Sequence, residues 1–268
     1  MIQLRSFLLV AGAYTFAYCI GLIFHEYGHS AIQWMGGLPD TQIHLHPFDM
    51  SYIAHDESAG FPPQSSIEPI HAIAGSCLNR LLAVLILLVV WRFRNPYLLP
   101  VLIIPGTSFL MEGVGMIVDL AMGENDWDIF MSLTGTPLIA MIWLILIVLS
   151  LGIVFMCLVM PLAGIRHDAT FLRRLGPFLG VAAFFALSLL YILILGSKYR
   201  NTAHVIEARA IALVGSFALV LEIAVLYRPL HAAVRRVTSS EVATIAWTHS
   251  LSALSAGALV AISMIATY

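Results

Sequence analysis

The sequence predicts an all-α protein that crosses a membrane several times. Of its 268 residues, 60% are hydrophobic and 10% are charged, whereas an ordinary soluble domain carries about 25% charged residues. The mean hydropathy is +0.93, so there is too little polar surface to coat a globule of this size. Apolar runs of about 20 residues, the length that crosses a bilayer as a helix, recur along the chain. We therefore expect lipid to surround most of the molecule.

About seven of these runs are predicted to be transmembrane helices. They cover residues 5–34, 69–91, 97–121, 137–163, 175–196, 206–227 and 243–267. The first run is expected to remain in the protein rather than to be cleaved as a signal peptide. It is longer than the apolar segment of a signal peptide, and it holds the residues best suited to catalysis.

Positive charges predict how the helices are oriented. Arg5 precedes the first run and further arginines follow the second, fourth and sixth, whereas the loops at 36–68 and 122–136 contain no Lys or Arg. Because cytoplasmic loops are enriched in Lys and Arg, the N-terminus is predicted to be cytoplasmic and these two loops to lie on the opposite face. Lys198 and Arg200 depart from the pattern.

A short β-hairpin at the membrane surface is predicted after the first helix. Residues 41–46 alternate polar with apolar side chains, as a strand does, and the hairpin is expected over residues 41–53. The same loop contains several side chains that can bind metals, namely His44, His46, His55, Asp49 and Asp56. They could form a second metal site, but the interpretation we prefer is a wet, mobile loop at the surface.

One motif within the first helix indicates chemistry. The segment His25-Glu26-Tyr27-Gly28-His29 has the form HExxH, and a spacing of four places both imidazoles on one helix face, where they can bind one metal ion. Zn²⁺ is favoured because it accepts nitrogen ligands and can leave one position for water. Glu26, beside the first ligand, is suited to take a proton from that water. Polar groups are costly inside a membrane, which argues against three such residues being there only for packing.

A catalytic zinc site needs a third protein ligand, and an acidic segment offers several. The candidates are Asp119, Glu124, Asn125, Asp126 and Asp128. No Lys or Arg lies among them, so a bound cation would neutralise the segment; a solvated acidic loop is the alternative. If the helices alternate in direction, the end of the first, the start of the second and the end of the third share one membrane face. The HExxH motif, residues 74–80 and the acidic segment can therefore meet in one pocket.

Together these residues resemble the site-2 protease family of intramembrane zinc metalloproteases. Its members carry HExxH on the first of three core helices, Gly-x-x-x-Asn on the second and an Asp ligand in a broken third helix. A membrane-associated β-hairpin separates the first two helices in that family. This sequence has Gly75-Ser76-Cys77-Leu78-Asn79 and Asn125-Asp126-Trp127 in the same order. It departs from the family at Ser76, where proline is usual, and at Asn125-Asp126-Trp127, where Leu-Asp-Gly is common.

The resemblance implies a role for five residues. His25, His29 and Asp126 would bind one zinc ion. Glu26 would be the general base, and Asn79 would hydrogen-bond the substrate carbonyl or the oxyanion that develops from it.

The resemblance also implies a division of the chain. Residues 1–136 are the predicted metalloprotease core, and residues 137–268 are predicted to be accessory helices of the same membrane domain. Asp119 and Asp128 remain alternatives for the third metal ligand.

The predicted function is hydrolysis of a peptide bond in or next to a transmembrane segment, with a single-pass membrane protein as the expected substrate. Two alternatives stay open: a zinc hydrolase acting on a lipid or small-molecule amide or ester, and a non-catalytic scaffold for transport or assembly. The net charge of −2 and the lack of a long Lys or Arg run exclude nucleic acid as a partner. Within the helices, Arg80, Glu112 and Glu222 are expected to pair or to face water, Arg80 with an acidic residue of the site.

Overall fold

Long helices make up most of this computed structural model. It describes residues 4–37, 42–49, 51–54, 67–90, 95–123, 126–166, 168–197, 202–234 and 242–267. In these ranges the elements are α1 (Leu4–Met35), β1 (Gln42–His44), β2 (Tyr52–Ala54), α2 (Glu68–Val90), α3 (Leu99–Met122), α4 (Asp126–Thr134), α5 (Leu138–Val159), α6 (Phe171–Leu195), α7 (Thr202–Val234) and α8 (Trp247–Thr267).

Seven of the helices are long and apolar enough to cross a membrane, α4 being the exception. The protein is therefore an all-α, multi-pass membrane protein, as the composition predicts. Some helices extend past the apolar runs. α6 begins at Phe171 rather than at residue 175, and α7 begins at Thr202 rather than at residue 206. Hydropathy marks the stretch that suits lipid, whereas helix formers such as Arg173 and Arg174 of α6 and Ala203 of α7 continue the helix beyond that stretch.

α1 lies at the centre of the bundle, where it contacts α2, α3, α6 and α8. Its inner face packs an aromatic cluster against α6, in which the rings of Tyr18 and Phe184 lie 4.5 Å apart. Small residues allow α1 and α8 to cross closely, because a side chain on Gly12 would meet the backbone of Ala253 and one on Gly257 would meet the backbone oxygen of Gly12. The helix that carries the HExxH motif is thus enclosed by neighbours.

Contacts at one end of the bundle support the predicted alternation of helix direction. Arg5, at the start of α1, donates to the carbonyl oxygen of Ile245 before α8. Tyr97, just before α3, bonds to Thr248 at the start of α8. The starts of α1, α3 and α8 therefore lie together, as they must if successive spans reverse direction. Which membrane face this end occupies stays a prediction from the charge pattern.

The predicted hairpin is present. β1 and β2 pair antiparallel, with Gln42 opposite Ala54, Ile43 opposite Ile53 and His44 opposite Tyr52. The loop that joins them is inserted into the bundle, where Phe48 packs on Phe184 with ring centroids 5.6 Å apart.

The expectation of a wet loop is wrong for the two polar residues His46 and Asp49. Their exposed fractions are 0% and 1%. Nδ1 of His46 accepts the backbone N–H groups of Phe48 and Asp49 at 3.2 and 2.9 Å, and its Nε2 lies 3.1 Å from the hydroxyl of Tyr191. The hydroxyl of Ser197, just after α6, donates to Oδ1 of Asp49 at 2.7 Å. Protein partners thus replace water, so this part of the loop can be buried. His55 and Asp56 lie outside the described residues.

Candidate metal centre

Three metal-binding atoms from two separate helices meet at one point. Nε2 of His25, Nε2 of His29 and Oδ2 of Asp126 lie 3.1 Å from one another in all three pairs. The two histidines are one turn apart on α1, and Asp126 is the first residue of α4. In the described part of the chain, this is the cluster of side chains that could hold a metal ion.

A hydrogen bond on the far side of His29 fixes which of its ring nitrogens carries a proton. Nδ1 of His29 lies 2.7 Å from the backbone oxygen of His71 on α2, and because a carbonyl only accepts, Nδ1 must carry the proton. In the neutral imidazole, Nε2 then has a lone pair directed at His25 and Asp126. A backbone carbonyl that holds the outer nitrogen is a usual support for a metal-binding histidine.

The triangle of ligand atoms fits an ion of the size of zinc. Zinc lies about 2.0–2.2 Å from nitrogen and oxygen ligands. The centre of a triangle with 3.1 Å sides is about 1.8 Å from each corner, so the three atoms are close enough together to bind one ion with ligand distances of that length. Acceptor atoms this close repel one another unless a proton or a cation joins them. The donor set of two imidazoles and one carboxylate is also one that zinc accepts.

Asp126 carries a negative charge in this setting. Burial raises the pKa of its carboxyl group, but His25 and His29 in their protonated forms, through hydrogen bonds and positive charge, outweigh burial and hold the pKa well below its ordinary value. Its side chain is 31% exposed and lines the central cavity. The carboxylate is therefore available as a ligand without first losing a proton.

Two glycines allow α2 to pass against the motif helix at this point. A methyl group on Gly28 would lie 2.6 Å from the backbone oxygen of Ala74, and one on Gly75 would lie 2.6 Å from Nε2 of His29. Both distances are too short for unbonded atoms, so neither position accepts a side chain. The glycine of the Gly-x-x-x-Asn element is thus needed where the two histidines are held.

The structure separates the acidic candidates for the third ligand. Asp126 reaches both histidines, whereas Oδ2 of Asp119 accepts the backbone N–H of Trp127 at 3.2 Å and so caps the first turn of α4. Asp128 lies one residue beyond Trp127 in α4, outside the cluster. Glu124 and Asn125 lie outside the described residues. The broken third helix expected from the family pattern corresponds to α3 and α4, which Gly123 separates in a left-handed conformation with φ of 66°.

Glu26 and Asn79 line the same cavity as the metal cluster. Their exposed fractions are 6% and 3%. Oδ1 of Asn79 has no hydrogen-bond partner in the described part of the chain. A buried acceptor without a partner is costly, and the N–H of a substrate amide entering the cavity would supply one.

The cavity has a volume of about 450 Å³ and extends well beyond the metal cluster. It is lined along α1 from Tyr14 to Gln33, a length of about 28 Å at 1.5 Å per residue. Its inner part is bordered by apolar side chains of α3, α6 and α7, including Val181 and Ile223. Arg209 of α7 also lines it, donating to the hydroxyl of Tyr18 at 3.0 Å and to the backbone oxygen of Asp49.

Several residues of the site are not identifiable from sequence patterns. The prediction that Arg80 pairs with an acidic residue is confirmed, since it lies 3.6 Å from Glu112. The contact of Glu112 with Trp127 has no local signal, because 15 residues separate them. Ser76 does have a signal in the sequence, because it stands where the family usually has proline. In the structure its hydroxyl donates to Glu112 at 2.5 Å.

Comparison with known proteins adds no identification. No protein-family model, no curated protein and no solved structure matches this chain.

Proposed function

We propose that this protein is an intramembrane zinc metalloprotease similar to the site-2 protease family, acting on a peptide bond in or beside a transmembrane segment of another membrane protein. The observation that carries the proposal is the meeting of His25, His29 and Asp126 inside a bundle of membrane-crossing helices. A hydrolytic site in that position meets substrates that are themselves in the membrane. Zinc accepts this donor set.

Each residue then has a defined task. His25, His29 and Asp126 would hold the ion, which when bound polarises a carbonyl and lowers the pKa of water. Glu26, adjacent to the first ligand and buried in the same cavity, takes the proton from the attacking water and passes it to the leaving amine. Asn79 donates its amide to the carbonyl oxygen as negative charge develops there.

The cavity suits an extended segment better than a helix. An α-helix with its side chains is about 10–12 Å across, so a length of about 28 Å occupies on the order of 2,500 Å³, several times the cavity volume of about 450 Å³. The carbonyls of a helical substrate are also occupied by internal hydrogen bonds. The substrate must therefore unwind before its carbonyl reaches the metal, and strand addition to the β1–β2 hairpin is a way to hold the unwound segment.

A second candidate function has an observation in its favour. The inner part of the cavity is lined by Val181, Leu219, Val220 and Ile223, a surface that suits an acyl chain. A lipid amide or ester with its polar group at the metal cluster and its chain in this part is the alternative substrate. Both candidates require the same metal and the same base, and they differ only in the bond that is cut.

The experiment uses the purified full chain in lipid vesicles. Its zinc content is measured together with cleavage of a panel of single-pass test proteins, and the lipids are examined for hydrolysis products in parallel. The variants are Glu26→Gln and, as a matched control, Glu222→Gln, which removes an exposed carboxylate of α7. We expect the wild type and the control to bind zinc and to cut test proteins. Glu26→Gln is expected to keep its zinc and to lose activity by about 10²–10⁴-fold.

Each other outcome decides between the candidates. Lipid products without protein cleavage would favour the lipid hydrolase. A wild type that binds no zinc, or a Glu26→Gln variant with full activity, would overturn the proposal and favour a non-catalytic scaffold.

A further inference from the structure

We propose that Glu112 is a positioning residue of the metal centre: it bonds to Trp127 and thereby holds α4 where Asp126 meets the two histidines. This inference rests on the proposed metal site, and it adds a residue that no motif in the sequence identifies. Glu112 lies on α3 and is 7% exposed.

The need for such a residue follows from where the third ligand lies. His25 and His29 are on α1, which packs against four other helices, but Asp126 begins α4, a helix of nine residues. A helix this short does not cross a membrane and is only marginally stable by itself. Metal sites require ligand distances within about 0.2 Å of their ideal values. The position of α4 must therefore be set by contacts with other elements.

Trp127, the residue after Asp126, provides these contacts. Its exposed fraction is 4%. The indole Nε1–H donates to Oε1 of Glu112 at 2.6 Å, and the backbone N–H donates to Oδ2 of Asp119 at 3.2 Å. The guanidinium of Arg80 lies over the ring, 5.5 Å from its centroid. Hydrogen bonds thus hold both the backbone and the indole of Trp127. The Cα atom of Asp126 lies only about 3.8 Å from the Cα atom of Trp127.

Glu112 joins three helices through one carboxylate oxygen. Oε1 accepts from Ser76 of α2 at 2.5 Å and from Trp127 of α4 at 2.6 Å, and it lies 3.6 Å from the guanidinium of Arg80. A buried carboxylate is costly unless charged or polar groups surround it. The three partners meet that need together, so moving α4 would remove one of them. This arrangement penalises displacement of α4 and hence of Asp126.

A merely structural role for Glu112 predicts something different. If Glu112 only helped the helices to pack, its loss would lower stability but would weaken zinc binding equally whether or not Asp126 is present. If it acts through Asp126, its effect on zinc affinity disappears once Asp126 has been removed. The two roles are therefore separated by a double-mutant cycle.

The test measures the zinc dissociation constant of the purified full chain by competition with a chelator, and the visible absorption of the Co²⁺-loaded protein. Trp127→Phe removes the indole N–H and keeps an aromatic ring; Glu112→Leu removes the carboxylate at similar volume; Glu112→Gln keeps an acceptor oxygen. Two variants are matched controls. Trp143→Phe changes a tryptophan of α5 that is 62% exposed, and Glu222→Gln changes an exposed carboxylate of α7. Each variant is also made in an Asp126→Ala background.

We expect Trp127→Phe to weaken zinc binding about tenfold and Glu112→Leu up to about 100-fold, the range seen when residues that support metal ligands are lost. Glu112→Gln should recover part of the loss. The Co²⁺ spectra of Trp127→Phe and Glu112→Leu should shift toward that of Asp126→Ala, and the controls should match the wild type. In the Asp126→Ala background, none of the changes should weaken binding further.

The outcomes distinguish the two proposals. A wild type that binds neither zinc nor Co²⁺ would refute the metal centre itself. In a second outcome the wild type binds zinc, and Trp127→Phe and Glu112→Leu bind it within twofold of the wild type. That result would refute only the role of Glu112. Equal losses with and without Asp126 would show a structural role instead. If Glu112→Leu does not fold, Trp127→Phe decides the question, because it leaves the carboxylate with Ser76 and Arg80.

Discussion

Replacing Gly75 with alanine should expel zinc while leaving the helical bundle in place. A methyl group at this position would lie 2.6 Å from Nε2 of His29, 2.6 Å from the backbone oxygen of His25 and 2.8 Å from Cδ2 of His25. Unbonded heavy atoms reach their best separation at about 3.5–4.0 Å. The methyl group and the two histidines must therefore move apart by about 1 Å.

Such a movement is large compared with what a metal site tolerates. Ligand distances must stay within about 0.2 Å of ideal, so a shift of about 1 Å detaches at least one histidine. α2 cannot simply rotate away, because Gly28 of α1 already touches the backbone of Ala74 and Gly75. We expect zinc affinity to fall by more than about 100-fold, beyond the effect of losing a residue that only supports a ligand. The added atoms should lower the stability of the metal-free protein by about 1–3 kcal/mol.

The assay is the zinc dissociation constant of the full chain, measured beside thermal unfolding of the metal-free protein. Gly215→Ala on α7 is the matched control, since its methyl group would lie 3.6 Å from Val114, an ordinary contact. The control should bind zinc within twofold of wild type. If Gly75→Ala binds zinc as tightly as Gly215→Ala, the close approach of α2 does not set the geometry of the ligands.

The remaining predictions concern single side chains. Asp126→Ala should bind zinc much more weakly than wild type, whereas Asp119→Asn should bind it as wild type does, since an amide oxygen still accepts the N–H of Trp127. A wild-type zinc dissociation constant for Asp126→Ala would refute this ligand assignment. Asn79→Ala should lower kcat by about 10²–10³-fold with zinc content unchanged, and a loss of zinc instead would point to a structural role. Arg209→Gln removes the charged donor to Asp49 and should speed hydrogen exchange in the loop between β1 and β2; exchange equal to wild type would show that this contact does not hold the loop.

The fold follows from the sequence because its signal is local. Apolar runs of the length of a bilayer predict the seven spans, and period-two alternation predicts the hairpin. α4 escapes this reasoning, since Asp126–Thr134 is too short and too mixed in polarity for either pattern. The burial of His46 and Asp49 also escapes it, because polar side chains are interpreted as solvated unless their partners are known, and Tyr191 is 145 residues away from His46.

The candidate site likewise has residues that local sequence patterns predict and residues that they do not. His25 and His29 can be predicted together because helical geometry fixes their relation. The choice of Asp126 over Asp119 or Asp128 needs the direction in which α4 leaves α3, and local spacing does not determine that direction. Glu112 could be expected to need a partner, as any buried carboxylate does, but only the packing of α2, α3 and α4 shows that Trp127 is that partner.

The long separations within the site also bear on the synthesis of the protein. His25 and Asp126 are 101 residues apart, and the loop after β1 is held by Arg209, 160 residues beyond Asp49. Translation proceeds at about 5–20 residues per second, so for several seconds the first helix is made without its third ligand. During that time two histidines alone would bind zinc weakly. If the protein is the protease proposed above, the nascent chain is thus expected to stay inactive until its later helices have been inserted.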